Sequence, residues 1–260
     1  MHRTSLSKME AFWETYMLPE CERSPIRVLE IGSKCYDDHP SYRQVMDHEN
    51  VSYCGLDLEA GRNVDLVPGH PFVWKELGSN QFDFCISGQT FEHNPMFWVT
   101  FAEIARVLRP GGIALVIAPG SGAVHRYPLD CWRFYPDAWS SLCHYCGIEL
   151  VETYFENHGN RRSEPSLMWC DSCVIARKPT FEDASQQAAL DHRLNAISAT
   201  ATFDVPSADY SGDGPCFVSY ESTAPYHRKR KGLIAAVSRL AKQLKRYTRG
   251  VRKSAPSRAA

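Results

Sequence analysis

The stretch FDFCISGQTFEHNPMFWVTFAEIARVLRPGGIALVIAP, residues 82–119, decides the fold. It opens on a short apolar run, FDFCIS (82–87), and closes on a second, IALVIA (113–118). Between them Phe97, Phe101, Ile104 and Leu108 recur at three- and four-residue spacing, which lines one face of a helix. Asn94 is an N-cap residue type, and Pro95 fits a first helical turn, where its missing N–H costs nothing. Gly111-Gly112 after Pro110 supplies the stop. Strand, helix and strand in this order predict a parallel pair joined by a crossover helix whose aromatic stripe faces the sheet.

The same alternation extends outward. IRVLEI (26–31) and VSYCGLD (51–57) precede the block, and strand candidates near 148–155 and 167–176 follow it. Their continuous apolar character predicts strands buried on both faces. Residues 26–178 are thus expected to form one α/β domain, a doubly wound, mostly parallel sheet. Residues 1–25 form an expected N-terminal helical segment, with Phe12, Trp13 and Tyr16 across the domain entrance. From 179 to 226 the chain is rich in Ser, Ala, Asp, Gly and Pro and reads as a linker or loosely ordered extension, with a modest helix over 181–198. No internal repeat is found.

A hydrophobic share of 43% and a charged share of 23% are those of an ordinary globular protein. No run reaches the roughly 20 apolar residues of a membrane-spanning helix. The first residues, MHRTSLSKMEAFWETYM, lack the pattern of a signal peptide, so a cytoplasmic location and reduced thiols are expected for the ten cysteines. Cys143-x-x-Cys146 and Cys170-x-x-Cys173 have the spacing of zinc-ligand pairs. The second pair falls in a strand, where residues three apart point to opposite sides, so core thiols are expected and no metal site.

Charge is unevenly spread. Residues 227–260 hold twelve of the 29 Lys and Arg and none of the 30 Asp and Glu. Leu233, Val237, Leu240, Leu244, Tyr247 and Val251 form one stripe of a basic amphipathic helix and tail. Anionic lipid attracts each nearby cation by about 1 kcal/mol, so residues 232–253 are read as a peripheral membrane contact. A solvated helix, or docking on an acidic partner or RNA, are the alternatives.

The strand ends locate the chemistry, because ligands of open α/β sheets bind beyond the carboxyl ends where strand order reverses. The first strand ends in VLEIGS (28–33), where Gly32 allows a sharp turn and Glu30 offers a carboxylate to a cationic group. The second ends at Asp57, which can accept from both hydroxyls of a ribose. The loop Gly32-Ser33-Lys34-Cys35-Tyr36-Asp37 lacks the further glycines of a pyrophosphate cradle. A ligand with ribose and amino-acid ends is therefore favoured over a dinucleotide, and S-adenosylmethionine fits.

VLEIGS, then GLDLEAGRNVDLV (55–67), then the 82–119 block resemble successive motifs of the class I S-adenosylmethionine-dependent methyltransferases, type 11-like. The R-V-L-R-P-G-G turn into a strand carries most of the likeness, which spans residues 26–178. The resemblance implies a Rossmann-like methyltransferase fold of seven strands, the last antiparallel, and an activity in class EC 2.1.1.-. It implies that Glu30, Gly32 and Ser33 contact the methionine portion of the cofactor, and Asp57 with Leu58 the ribose and adenine. Ser87, Gly88 and Gln89 would border the methionine portion and the transferred methyl. Two positions depart from the pattern. Lys34 replaces a second glycine, and Gly69 stands where relatives often carry an adenine-binding Asp, a contact left to Asp65 or His70.

Methyl transfer from a sulfonium is an in-line displacement, aided by a general base when the acceptor carries a proton. His125 and His93, each just past a strand end, are the expected bases. The stretch HRYPLDCWRFYPDAW (125–139) offers Tyr127, Asp130, Trp132 and Arg133 as acceptor contacts; it could instead be a lid in which Asp130 and Arg133 pair and Trp132 packs. Its H-x-Y-P-x-D-x-W-R-F pattern is similar to that of methyltransferase-like proteins associated with surface polysaccharides. The expected function is O-methylation of a sugar or glycan-type acceptor. A non-catalytic cofactor-binding or scaffold protein is the alternative, and an RNA methyltransferase, resting on the basic tail alone, the third.

Overall fold

The computed structural model describes residues 3–36, 40–156 and 168–201. The basic tail with its amphipathic stripe, and the extension beyond 201, lie outside the described residues. Six strands form one sheet: β1 (Ile26–Ile31), β2 (Val51–Leu56), β3 (Phe82–Gly88), β4 (Leu108–Pro119), β5 (Glu149–Phe155) and β6 (Asp171–Arg177). Their order is β2-β1-β3-β4-β6-β5. β2, β1, β3 and β4 run parallel, and β6 is antiparallel to both of its neighbours. The chain leaves β1 toward one side of the sheet and β3 toward the other, so the switch point falls between their carboxyl ends.

Side-chain alternation explains why the central strands stay buried. Leu29 and Ile31 of β1, Cys85 of β3, and Ala114, Val116 and Ala118 of β4 join one apolar cluster. Val28, Phe84, Ile86, Leu115 and Ile117 join a second. The helices α4 (Phe97–Val107), α5 (Pro136–Cys146) and α6 (Ala184–Ser198) supply the first cluster, while α1 (Arg3–Phe12) and α3 (Tyr42–Val45) cover the second. A π-helical turn (Trp13–Met17) carries α1 into α2 (Leu18–Cys21).

Several expectations are corrected. Among the described residues the sheet has six strands rather than the seven implied, and beyond β2 a single parallel bridge joins Leu56 to Leu66. Pro68 and Pro71 follow at once, and a proline cannot donate to a sheet ladder. β5 is not buried on both faces: it ends the sheet and six of its seven residues are exposed. Phe12 packs edge-on against Phe84, so the N-terminal helix covers a face of the sheet rather than the domain entrance. Helix α4 starts at Phe97, two residues past Pro95, and Asn94 braces it by accepting from Met96 N and donating to Thr100 Oγ1. The core also runs past residue 178, because α6 buries Leu190, Leu194 and Ile197 in the first cluster.

Cys143 and Cys146 are buried in the first cluster and Cys173 in the second. Cys173 thus addresses the opposite face of the sheet from Cys143 and Cys146, while Cys170 stands just before β6 rather than within it. Burial raises the Cys143 and Cys146 thiols to about 12, as expected of core thiols.

Candidate functional site

The predicted cofactor residues gather at the carboxyl ends of β1, β2 and β3. Ile31 pairs with Leu56, so the residues just beyond, Gly32 and Asp57, stand side by side. Gly32 N and Ser33 N both donate to the Leu56 carbonyl, which folds the loop back over the β2 tip. Gly32 has φ +75°, and a Cβ there would fall 2.0 Å from Thr90 Oγ1, so only glycine fits.

Glu30 is buried, and burial pushes its carboxyl well above the usual range against the opposing influence of Asn63. Asn63 Nδ2 donates to the Ser33 carbonyl at 2.8 Å and lies 3.5 Å from Glu30 Oε2. Asp57 accepts from Lys34 N at 2.9 Å and from Glu59 N at 3.3 Å. A carboxylate has about four lone-pair sites, so Asp57 retains capacity for two ribose hydroxyls. Leu58 is exposed beside it. The Lys34 side chain does not replace the missing glycine inside the loop; it reaches Glu59 at 2.6 Å and lies against Gly61.

Other predicted contacts are already engaged. Ser87 is buried and donates to the Ile31 carbonyl, tying β3 to β1. A Cβ at Gly88 would meet the Tyr42 hydroxyl at 2.0 Å, so this glycine serves a close approach to buried Tyr42. Gln89, at φ 57°, donates through Nε2 to Asp171, which also takes Thr4 and Lys8 of α1. Two buried polar atoms at these tips have no partner, Ser33 Oγ and Gln89 Oε1. Both candidate replacements for an adenine-binding Asp already hold backbone groups. Asp65 is held by Gly55 N and Arg43, and His70 Nδ1 accepts from Phe72 N and Val73 N.

The acceptor loop joins the site through ring contacts. Tyr127, which is exposed, meets Tyr36 of the β1 loop at 5.9 Å and His93 at 5.8 Å. Asp130 and Arg133 form a bidentate pair at 2.6 and 2.8 Å. Burial works against the Asp130 carboxylate, but Arg133 and the His125 amide hold it below its usual range. Trp132 donates to the Asn94 carbonyl and packs edge-on against Phe97. Of the four expected acceptor contacts, Asp130, Arg133 and Trp132 therefore hold the loop, the lid arrangement, while the Tyr127 ring and part of the Trp132 ring are exposed.

His93 and His125 lie together, with ring centroids 4.9 Å apart. The 3₁₀ turn Phe91–His93 follows β3 and sets Glu92 beneath them. Cys131 N and Trp132 N close onto the Glu92 carbonyl, binding this turn to the acceptor loop. Glu92 is fully buried, neither of its carboxylate oxygens accepts a hydrogen bond from another residue, and burial pushes its pKa up to about 8. His93 Nδ1 is 2.6 Å from the Leu129 carbonyl, and its Nε2 is 3.6 Å from Glu92 Oε1. Burial lowers the His93 pKa. Sequence reasoning noticed Glu92 only as a neighbour of His93; its position on a turn that buries it follows from Phe91, which anchors in the aromatic core beside Phe101, Phe134 and Trp139.

Two grooves, of about 500 and 470 Å³, lie elsewhere. The first runs between α4 and α6 near Trp74, Glu103 and Arg106, and the second between α1 and β5.

Residues 48–116 match a family model described as a methyltransferase domain. No curated protein matches the sequence. Among solved structures, the chain is similar to a Burkholderia thailandensis 1,6-didemethyltoxoflavin-N1-methyltransferase with bound 1,6-didemethyltoxoflavin and S-adenosylhomocysteine: identity 16%, 68% of this chain and 79% of that chain covered, TM-score 0.50. It is also similar to the cyclase SpnF, at 16% identity, 68% and 82% coverage and TM-score 0.49. A third is a SAM-dependent methyltransferase from Aquifex aeolicus, at 13% identity, 68% and 99% coverage and TM-score 0.44. The fold is thus the Rossmann-like fold found in methyltransferases.

Proposed function

We propose that the chain is an S-adenosylmethionine-dependent methyltransferase acting on a hydroxyl of a sugar or glycan-type acceptor. One observation carries the cofactor assignment: Glu30 and Asp57 occupy adjoining strand tips around the Gly32 turn, with unpartnered Ser33 Oγ and Gln89 Oε1 beside them. Ser33 and Glu30 suit the ammonium and carboxylate end of the ligand, and Asp57 its ribose. The cofactor supplies a methyl group on a sulfonium. The chain aligns the acceptor with it and removes the acceptor proton.

For that proton, His125 is the better placed imidazole, with its side chain 24% exposed against 13% for His93, whose Nδ1 is engaged by Leu129. Asp130 Oδ2 lies 3.5 Å from His125 Nδ1, on the side of the ring away from solvent. His125→Ala is expected to keep S-adenosylmethionine binding by calorimetry while turnover falls about 100-fold or more. Unchanged turnover on the true acceptor refutes the base.

The engagement of Ser87 and Gln89 by the protein's own groups favours a second reading, a cofactor-binding protein without turnover. Cofactor binding in calorimetry without methyl transfer to any hydroxyl acceptor would select it.

For the tail we propose peripheral contact with an anionic membrane surface from the cytoplasmic side, on the ground of its stripe and charge. Full-length protein is expected to pellet with anionic vesicles, and a form ending at Tyr226 to remain in the supernatant. Equal pelleting removes the membrane reading.

A further inference from the structure

We propose that Glu92, His93 and one ring nitrogen of His125 bind a divalent transition-metal ion at the acceptor end of the site. The inference shares His125 with the proposed base, whose ligating nitrogen could not accept a proton while an ion is bound, and metal binding is read independently of methyl transfer. One ligand atom from each of the three side chains lies within 4.8 Å of the other two. Ligands sharing one such ion sit about 3–4 Å apart for bonds near 2.1 Å, so a movement of about 1 Å closes the set. Among the described residues this is the one cluster of three or more His, Cys, Asp or Glu side chains with that spacing.

Glu92 is the independent pointer. It is fully buried, and neither carboxylate oxygen accepts a hydrogen bond from another residue, the nearest group being His93 Nε2 at 3.6 Å. A buried carboxylate without donors is costly, and a cation is one of the ways to satisfy it. Arg133 favours the charged Glu92 from a distance but makes no hydrogen bond to it, because Asp130 takes its guanidinium in a bidentate pair.

The surroundings are those of a ligand set. The Leu129 carbonyl sits 2.6 Å from His93 Nδ1 and fixes that nitrogen as the N–H, leaving the lone pair on Nε2, the atom that faces Glu92. Metal-bound histidines nearly always donate their other ring N–H in this way. Asp130, locked by Arg133, stands beside His125 Nδ1 and the Trp169 ring lies 4.4 Å from the His125 ring, so both histidines are oriented from behind. Two imidazoles and one carboxylate suit zinc and its neighbours rather than magnesium or calcium, and three protein ligands leave positions open for water or an acceptor oxygen. Partial exposure of His125 provides the way in.

The test uses chelator-stripped full-length protein, titrated with Zn²⁺ against a chromophoric competitor. One equivalent is expected to bind with micromolar or tighter affinity, weakened at least about tenfold in each of H93A, H125A and E92Q. His192→Ala, on the exposed surface of α6, is expected to change nothing. Co²⁺ should give a visible absorption band that H125A abolishes. Absence of stoichiometric binding, or affinities in all three variants equal to the parent, overturns the proposal. E92Q preserves shape at the buried position, and H125A, at the partly exposed one, decides the matter should E92Q not fold. Calorimetry with S-adenosylmethionine on the same stripped protein reports the cofactor reading separately.

Discussion

Asp57→Ala is expected to weaken S-adenosylmethionine binding by about 100-fold, the largest effect of any single change at the cofactor site. The side chain is asked to accept two ribose hydroxyls, and hydrogen bonds to a charged group contribute about 1.5–3 kcal/mol each. Part of the loss arises earlier, since Asp57 also receives Lys34 N and keeps the β1 loop against the β2 tip. Asp57→Asn retains an acceptor for that amide while removing the charge, so its affinity should fall between the two. Calorimetry on both variants, with thermal unfolding as a fold control, makes the comparison. Parent-like affinity in Asp57→Ala would place the ribose elsewhere.

The largest stability effect is expected far from the site, at Glu103. Its carboxylate is buried and receives Arg106 Nε and Nη2, Trp74 N and Ser198 Oγ, so one side chain joins α4, the loop ahead of β3 and the end of α6. Glu103→Ala leaves these donors unanswered in the interior. Breaking a buried pair in this way typically costs about 3–5 kcal/mol. For a domain of this size that corresponds to a fall in Tm of roughly 10 °C. Burial alone would raise the Glu103 pKa, but Arg106, Trp74 and Ser198 together hold it below the ordinary carboxylate value. A group whose pKa is depressed by folding contributes stability above its unfolded pKa and loses it as pH falls through the folded one. The parent should therefore lose stability below the usual carboxylate range, and Glu103→Gln should flatten that acid limb. Thermal melts between pH 3 and 7 read both outcomes.

Much of the fold was legible because strand and helix periods coincide with burial. In the 82–119 block, Phe101 and Ile104 of the helical stripe are fully buried, Leu108, expected on the helix, instead opens β4, and the flanking apolar runs are the central strands. What misled was apolar character at the margin of the sheet. Leu150, Val151 and Tyr154 read as core but lie on a strand with a neighbour on one side only. The stretch after Asp57 resembles a third parallel strand until Pro68 and Pro71 limit it to one bridge.

At the site, spacing identified which strand tips meet but not which side chains were already committed. Ser87 and Gly88 fall where the family pattern places them, yet one braces β1 and the other accommodates Tyr42, both long-range contacts without a local signature. The Glu92 cluster was hidden for the same reason. Its three members are brought together by the adjacency of β3 and β4, and the depth of Glu92 is set by aromatic packing around Phe91.

The exposure of β5 also bears on how copies of this domain meet. A terminal strand offers main-chain groups to any strand that drifts alongside, and proteins commonly guard such margins with charge. Glu149 and Glu152 stand on this one, so two molecules approaching margin to margin would bring carboxylates together. Colloidal behaviour would then depend on ionic strength, with self-association increasing in concentrated salt, where that repulsion is screened.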